Sequence, residues 1–125
     1  MKPIAVNSLP LRVLTSTQTG ESYSAVRSLS EAFQLKALLI HQETLPPGQA
    51  ASAAHYHTVK EELIYLLQGT LVAYLGEERL TMVAGACLGF PPSSVPHRLV
   101  NESTETAVFL SIGTRSEQDQ TVFVP

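Results

Sequence analysis

Tryptophan is absent from this chain, cysteine occurs once, and charged residues make up only 15% of it. A single cysteine cannot close an internal disulfide, so no covalent staple holds the fold and a reducing cytoplasm is the expected compartment. The eight Lys and Arg are scattered, with no basic run, and the net charge is −3. That balance gives no footprint for nucleic acid or for an anionic membrane surface. Long apolar runs are also missing. Stretches such as Ala37 to Ile40 fall far short of the roughly 20 residues that a membrane span requires. The opening MKPIAVNSLP carries an early Pro and no apolar core of signal-peptide length, so no leader is expected there.

What is present is apolar and β-forming. At 125 residues with a 44% hydrophobic share, the chain suits one compact domain spanning 1–125. Segments rich in Leu, β-branched and aromatic residues recur at Leu35–Leu45, Leu63–Leu67, Leu71–Leu75, Arg79–Val83, Ala86–Phe90, His97–Val100, Thr106–Ile112 and Thr121–Val124. Turn residues divide them: Pro46-Pro47-Gly48, Gly69, Gly76, Gly85, Pro91 to Ser94, and Asn101 to Ser103. Many short strands at regular spacing predict an all-β antiparallel sandwich or barrel. Ser28 with Glu31 three residues on is a capping-box pattern, and it predicts at most one helical turn.

Two of these segments are apolar on both faces. Ile64 and Leu66 alternate with Leu63, Tyr65 and Leu67, and Val108, Leu110 and Ile112 alternate with Ala107 and Phe109. An isolated antiparallel barrel should show water one polar face. The outer faces here must be covered, by the terminal strands or by a second copy, and a homodimer is the expectation. Cys87, set in GACLGF with no charged neighbour, reads as a buried small hydrophobe rather than a nucleophile.

Three of the four histidines carry the chemistry. His55 and His57 are two apart, so on a strand they share a face while Tyr56 points away. A short turn at Thr58–Lys60 returns the chain, with Glu62 near the start of the next strand. His97 opens another strand directly after a Pro-rich turn. Three imidazoles and a carboxylate suit one divalent transition ion (Fe, Mn, Ni, Cu, Co or Zn) rather than Mg or Ca, and leave about two coordination positions for a ligand. The fourth histidine, His41, has no partner at ligand spacing.

The stretch from Gly48 through His55, His57 and Glu62 to Gly69 resembles cupin motif 1, G-x5-H-x-H-x3,4-E-x6-G. The stretch from Gly85 through Pro91 and His97 to Asn101 resembles motif 2, G-x5-P-x-G-x2-H-x3-N, and EELIYLLQG is close to a phrase common in that family. The motif core runs over 48–101. Of the adjacent acids Glu61 and Glu62, Glu62 satisfies both flanking spacers of the motif. Motif 2 is one residue long between Pro91 and His97, and Ser93 or Ser94 stands where the motif has Gly, which makes His97 the least secure of the four. Asn101 reads as a support for its turn.

The resemblance implies a double-stranded β-helix, a jelly-roll barrel, with His55, His57, Glu62 and His97 around a metal inside its mouth. It also implies a metal-dependent enzyme of dioxygenase or isomerase type acting on a small organic molecule. The alternatives are a non-catalytic small-molecule sensing module and a metal-free barrel serving protein assembly. Residues such as Ile64 and Leu66 would wall the pocket, which favours a neutral or mostly apolar ligand.

Overall fold

The computed structural model describes residues 1–125 and contains eleven strands and one helical turn, after a short 3-10 turn at Val6–Ser8. The strands are β1 (Arg12–Thr15), β2 (Ser22–Ser28), β3 (Leu38–Leu45), β4 (His55–His57), β5 (Glu62–Gln68), β6 (Thr70–Leu75), β7 (Glu78–Val83), β8 (Cys87–Phe90), β9 (His97–Val100), β10 (Ala107–Thr114) and β11 (Thr121–Phe123). The turn of helix is α1 (Leu29–Ala32), and its N-cap Ser28 accepts a hydrogen bond from the Glu31 backbone N–H at 3.2 Å. All pairings are antiparallel, in a six-stranded sheet ordered β1-β2-β3-β10-β5-β8 and a five-stranded sheet ordered β11-β4-β9-β6-β7. This is the expected antiparallel jelly roll. No helix is long and apolar enough to cross a membrane.

The period-2 pattern sorts side chains onto the two faces of each sheet. Ile64 and Leu66 face inward with Leu45, Leu71, Ala73, Met82, Leu99, Ala107 and Phe109, which together fill the space between the sheets. Turn chemistry closes the connections. Gly76 takes φ +60 in the two-residue link between Leu75 and Glu78, as tight hairpin turns require. Gly69 sits at φ +81, where a Cβ would lie 2.8 Å from the carbonyl oxygen of Thr106, so a side chain there would push β10 away. Asn101, fully buried, donates to the carbonyls of Leu45 and Glu105 at 2.8 Å each and accepts from Ser103. It ties two loops together, the supporting role read from its position.

Three features depart from the pattern read in the sequence. The strand expected over Leu35–Leu45 begins at Leu38, because Phe33 to Ala37 complete the turn after α1. Two N-terminal strands, β1 and β2, come from segments whose mixed polarity concealed them. Cys87 is exposed, not buried. It pairs with Tyr65 across β5 and β8 and so shares the outer face of that strand. An apolar neighbourhood does not report burial where both faces of a sheet are apolar.

The terminal strands do not cover that outer face. β1 and β2 lengthen the edge of the six-stranded sheet and β11 joins the other sheet. Leu63, Tyr65 and Leu67 remain about 40% exposed, at 39%, 40% and 42%.

Candidate metal centre

His55 and His57 stand on β4 and Glu62 opens β5, but these strands belong to different sheets. The turn between them crosses the barrel rather than forming a hairpin, and sets Glu62 opposite the histidines. His97 is the direct cross-strand partner of His55 on β9. The four residues therefore meet between the sheets at one end of the barrel.

Their atoms converge on one carboxylate oxygen. Glu62 Oε1 lies 2.7 Å from His57 Nε2, 3.8 Å from His97 Nε2 and 4.0 Å from His55 Nε2. The candidate ligand atoms of His55, His57 and Glu62 lie within 4.8 Å of one another. His97 stands slightly outside that set, yet its Nε2 faces the same oxygen. The extra residue of the Pro-rich turn has not turned the ring away. It is stacked on Phe90, with centroids 3.6 Å apart and planes 8° apart.

The opposite side of each ring is anchored. Nδ1 of His55 meets the carbonyl oxygen of Ala53 at 2.8 Å, Nδ1 of His57 meets Asp119 Oδ2 at 2.8 Å, and Nδ1 of His97 meets the carbonyl oxygen of Val95 at 3.2 Å. Those oxygens can only accept, so each Nδ1 carries a proton and donates it. In the neutral imidazole each Nε2 then presents a lone pair toward Glu62. Burial, the foremost influence on His55, lowers its pKa and favours that neutral form. Burial pushes the Glu62 carboxyl up, but donation from His97 and the positive charge of the rings when protonated outweigh this and lower it, so an ionised Glu62 calls for a cation beside it, a ring proton or a bound ion. Glu62 Oε1 is buried without a hydrogen-bond donor. With all three rings neutral, three lone pairs and that carboxylate oxygen repel one another unless a cation lies between them, either a proton on His57 Nε2, 2.7 Å away, or a metal ion. A divalent ion fits this donor set, with its candidate nitrogen and oxygen ligands aimed at one point.

Asp119 is a site residue that the sequence pattern did not reveal. Its side chain is 4% exposed, and Oδ1 accepts from the backbone N–H groups of Val59 and Lys60 at 2.9 Å each, while Oδ2 holds His57. Burial pushes its carboxyl up, but those N–H groups and His57 overcome this and hold it at about 2. Asp119 thus pins both the His57 ring and the turn that delivers Glu62. It lies 62 positions from His57 in a polar C-terminal segment, where no local spacing could mark it.

Ser93 occupies φ +54, the left-handed conformation that explains why the motif has Gly near this point. Its N–H donates to the carbonyl oxygen of His57 at 2.7 Å, so the widened turn is fastened to β4. His41 and Glu61 contribute nothing to the cluster. A cavity of about 180 Å³ adjoins it, walled by Ile64, Phe90, Leu99 and Phe109 and bordered by His55, Glu62, His97, Ser111 and a second buried acid, Glu43.

A family model described as a cupin domain matches residues 41–113, more than half of the chain. No curated protein matches. Among solved structures, a putative sugar phosphate isomerase from Acidithiobacillus ferrooxidans is 31% identical, with a TM-score of 0.78 over 80% of this chain and 64% of its own. The present chain therefore spans less than two thirds of that protein. A sugar phosphate isomerase of the cupin superfamily from Silicibacter pomeroyi is 24% identical, with a TM-score of 0.88 over 98% of this chain and 82% of its own. A predicted oxalate decarboxylase from Thermotoga maritima is 20% identical, with a TM-score of 0.76 over 92% and 100%. With two antiparallel sheets closing a jelly roll around a His-His-Glu cluster, and with the family model spanning both strands that carry it, this chain belongs to the cupin domain family.

Proposed function

We propose that the protein is a metal-dependent cupin acting on a small organic molecule, with one divalent transition ion held by Nε2 of His55, His57 and His97 and by the Glu62 carboxylate. The observation that carries this reading is the set of three outward-anchored rings aimed at a donorless buried carboxylate oxygen. The ion would supply Lewis acidity to a ligand oxygen in the adjoining cavity. That cavity, about 180 Å³, is smaller than the roughly 300–1,000 Å³ of sites for drug-sized ligands. Its walls are mainly apolar, and they would exclude water around a ligand of a few heavy atoms. The similarity to a putative sugar phosphate isomerase favours isomerase-type proton chemistry over oxygen activation. The lone cysteine fits a reducing cytoplasm. Elemental analysis of protein purified without a histidine tag tests the metal. One equivalent of a transition ion is expected, and it should be lost in His55→Ala and His57→Ala proteins that remain folded. A metal-free wild type that takes up no Zn, Mn, Fe, Ni, Co or Cu would overturn the reading.

We also propose that a second copy of the chain covers the outer face of the six-stranded sheet. Leu38, Leu63, Tyr65 and Leu67 lie on it, and a hollow of about 420 Å³ lined by Leu38, Leu63 and Ile112 opens there. The chain's own termini leave this face open, and scattered exposed apolar residues do not usually form so continuous a patch. Sedimentation should give a dimer in which Cys87 resists alkylation. A monomer at micromolar concentration with freely reactive Cys87 refutes it.

A further inference from the structure

Glu43 stands apart from the rest of the barrel interior. It lies on β3, faces inward between His41 and Leu45, and is buried in a layer whose neighbours include Ile64, Leu99 and Phe109. Ser24 on β2 donates its hydroxyl to Glu43 Oε1 at 2.5 Å, and the Ser111 hydroxyl is a second polar neighbour. No Lys, Arg or His forms an ion pair with it. A buried acid without a cation costs stability that a Leu or Met in the same space would not. The fold gains no obvious tie in return, because β2 and β3 are already joined by four register pairs from Ala25–Thr44 to Ser28–His41. What distinguishes the position is the cavity: Glu43 borders the same 180 Å³ space as His55, Glu62 and His97.

The two carboxyls of that cavity have opposite surroundings. Glu62 is ringed by imidazoles, whereas Glu43 meets hydroxyls and hydrocarbon. Such a pair divides naturally into an ionised member and a neutral one that can give up a proton. We propose that Glu43 is the proton donor and acceptor of this cavity, passing a proton to and from an oxygen of the small ligand bound beside the histidine cluster. In the forward step the Glu43 O–H bond breaks as an O–H bond forms on a carbonyl or alkoxide oxygen of the ligand. The resulting carboxylate keeps the Ser24 hydroxyl bond, and the reverse step restores the acid. In the metal-free protein burial raises the carboxyl to about 7, aided by the charge of Glu62 and opposed by the Ser24 and Ser111 hydroxyls, so both forms are accessible near neutrality there. The inference rests on the proposed ligand-binding function of this cavity and names the group that performs its proton transfer.

Glycolate, a five-heavy-atom hydroxy acid, serves as the probe. Infrared difference spectra of the protein at neutral pH, before and after zinc titration, should show the carbonyl stretch of a protonated carboxylic acid. Saturating glycolate should shift that band, and Glu43→Gln should remove it. Glu43→Met, which keeps the volume but loses the hydrogen bond, should weaken glycolate binding roughly tenfold or more, whereas Glu43→Gln retains a donor and should bind nearly as well as wild type. Absence of the acid band in wild type, its survival in Glu43→Gln, a band unmoved by glycolate, or full affinity in Glu43→Met overturns the proposal. Zinc affinity, read separately by competition with a chromophoric chelator, should be unchanged in both variants. Wild type that fails to bind zinc would sink the metal reading alone, since the acid band is present or absent regardless.

Discussion

Replacing Asp119 by Asn tests the site at its most discriminating point. The carboxylate has donors on both sides: the N–H groups of Val59 and Lys60 at Oδ1 and the His57 ring at Oδ2. An amide has one accepting and one donating end. Turned to satisfy the two backbone groups, the new amide points its NH2 at His57 Nδ1 and forces the proton onto Nε2, the atom that must be bare to ligate. Turned the other way, it preserves the tautomer but sets an NH2 against two N–H groups and loosens the turn that delivers Glu62. Either orientation damages the site. Losing the partner that orients a metal-bound histidine typically costs 10–100-fold in affinity, equivalent to about 1.4–2.7 kcal/mol. Zinc competition should therefore show Kd rising by roughly 10–100-fold in Asp119→Asn, and nitrogen NMR of the metal-free variant should reveal the altered His57 tautomer or a disordered 58–61 turn. Wild-type zinc affinity in a folded Asp119→Asn protein would refute the argument, because the His57 proton would then not govern the site.

Other outcomes follow from single buried contacts. In metal-free protein Glu43 binds its proton more tightly when folded, with the carboxyl raised from 4.5 to about 7. Its stabilising contribution is thus present below about pH 4.5 and lost as pH rises toward 7. Denaturant titrations of wild type against Glu43→Gln should diverge over that window by roughly 3 kcal/mol, with the variant gaining relative to wild type as pH rises. Asn101→Ala strips partners from the carbonyls of Leu45 and Glu105 and should lower unfolding free energy by about 3 kcal/mol by the same assay. Ser93→Gly relieves a left-handed serine at φ +54 and should raise stability by about 1 kcal/mol, visible as a higher melting temperature, with metal affinity unchanged.

The sequence by itself carried the strand alternation, the turns and the spacing of His55, His57, Glu62 and His97, because each is local. A period of two sets which side chains share a face, and Pro and Gly set where the chain reverses. These cues were sufficient for an antiparallel barrel and for three imidazoles near a carboxylate. They were not sufficient for what depends on pairing between distant strands. That the 58–61 turn crosses from one sheet to the other, that Asp119 reaches back to His57, and that Ser24 meets Glu43 are all consequences of register between segments far apart in the chain. The facing of Cys87 was likewise decided by β5 and β8 lying together beneath an apolar outer surface. Local chemistry marked the candidate ligands, while the tertiary pairing of the sheets decided which partners their ring nitrogens meet and which second acid shares their cavity, since both depend on neighbours that only folding brings together.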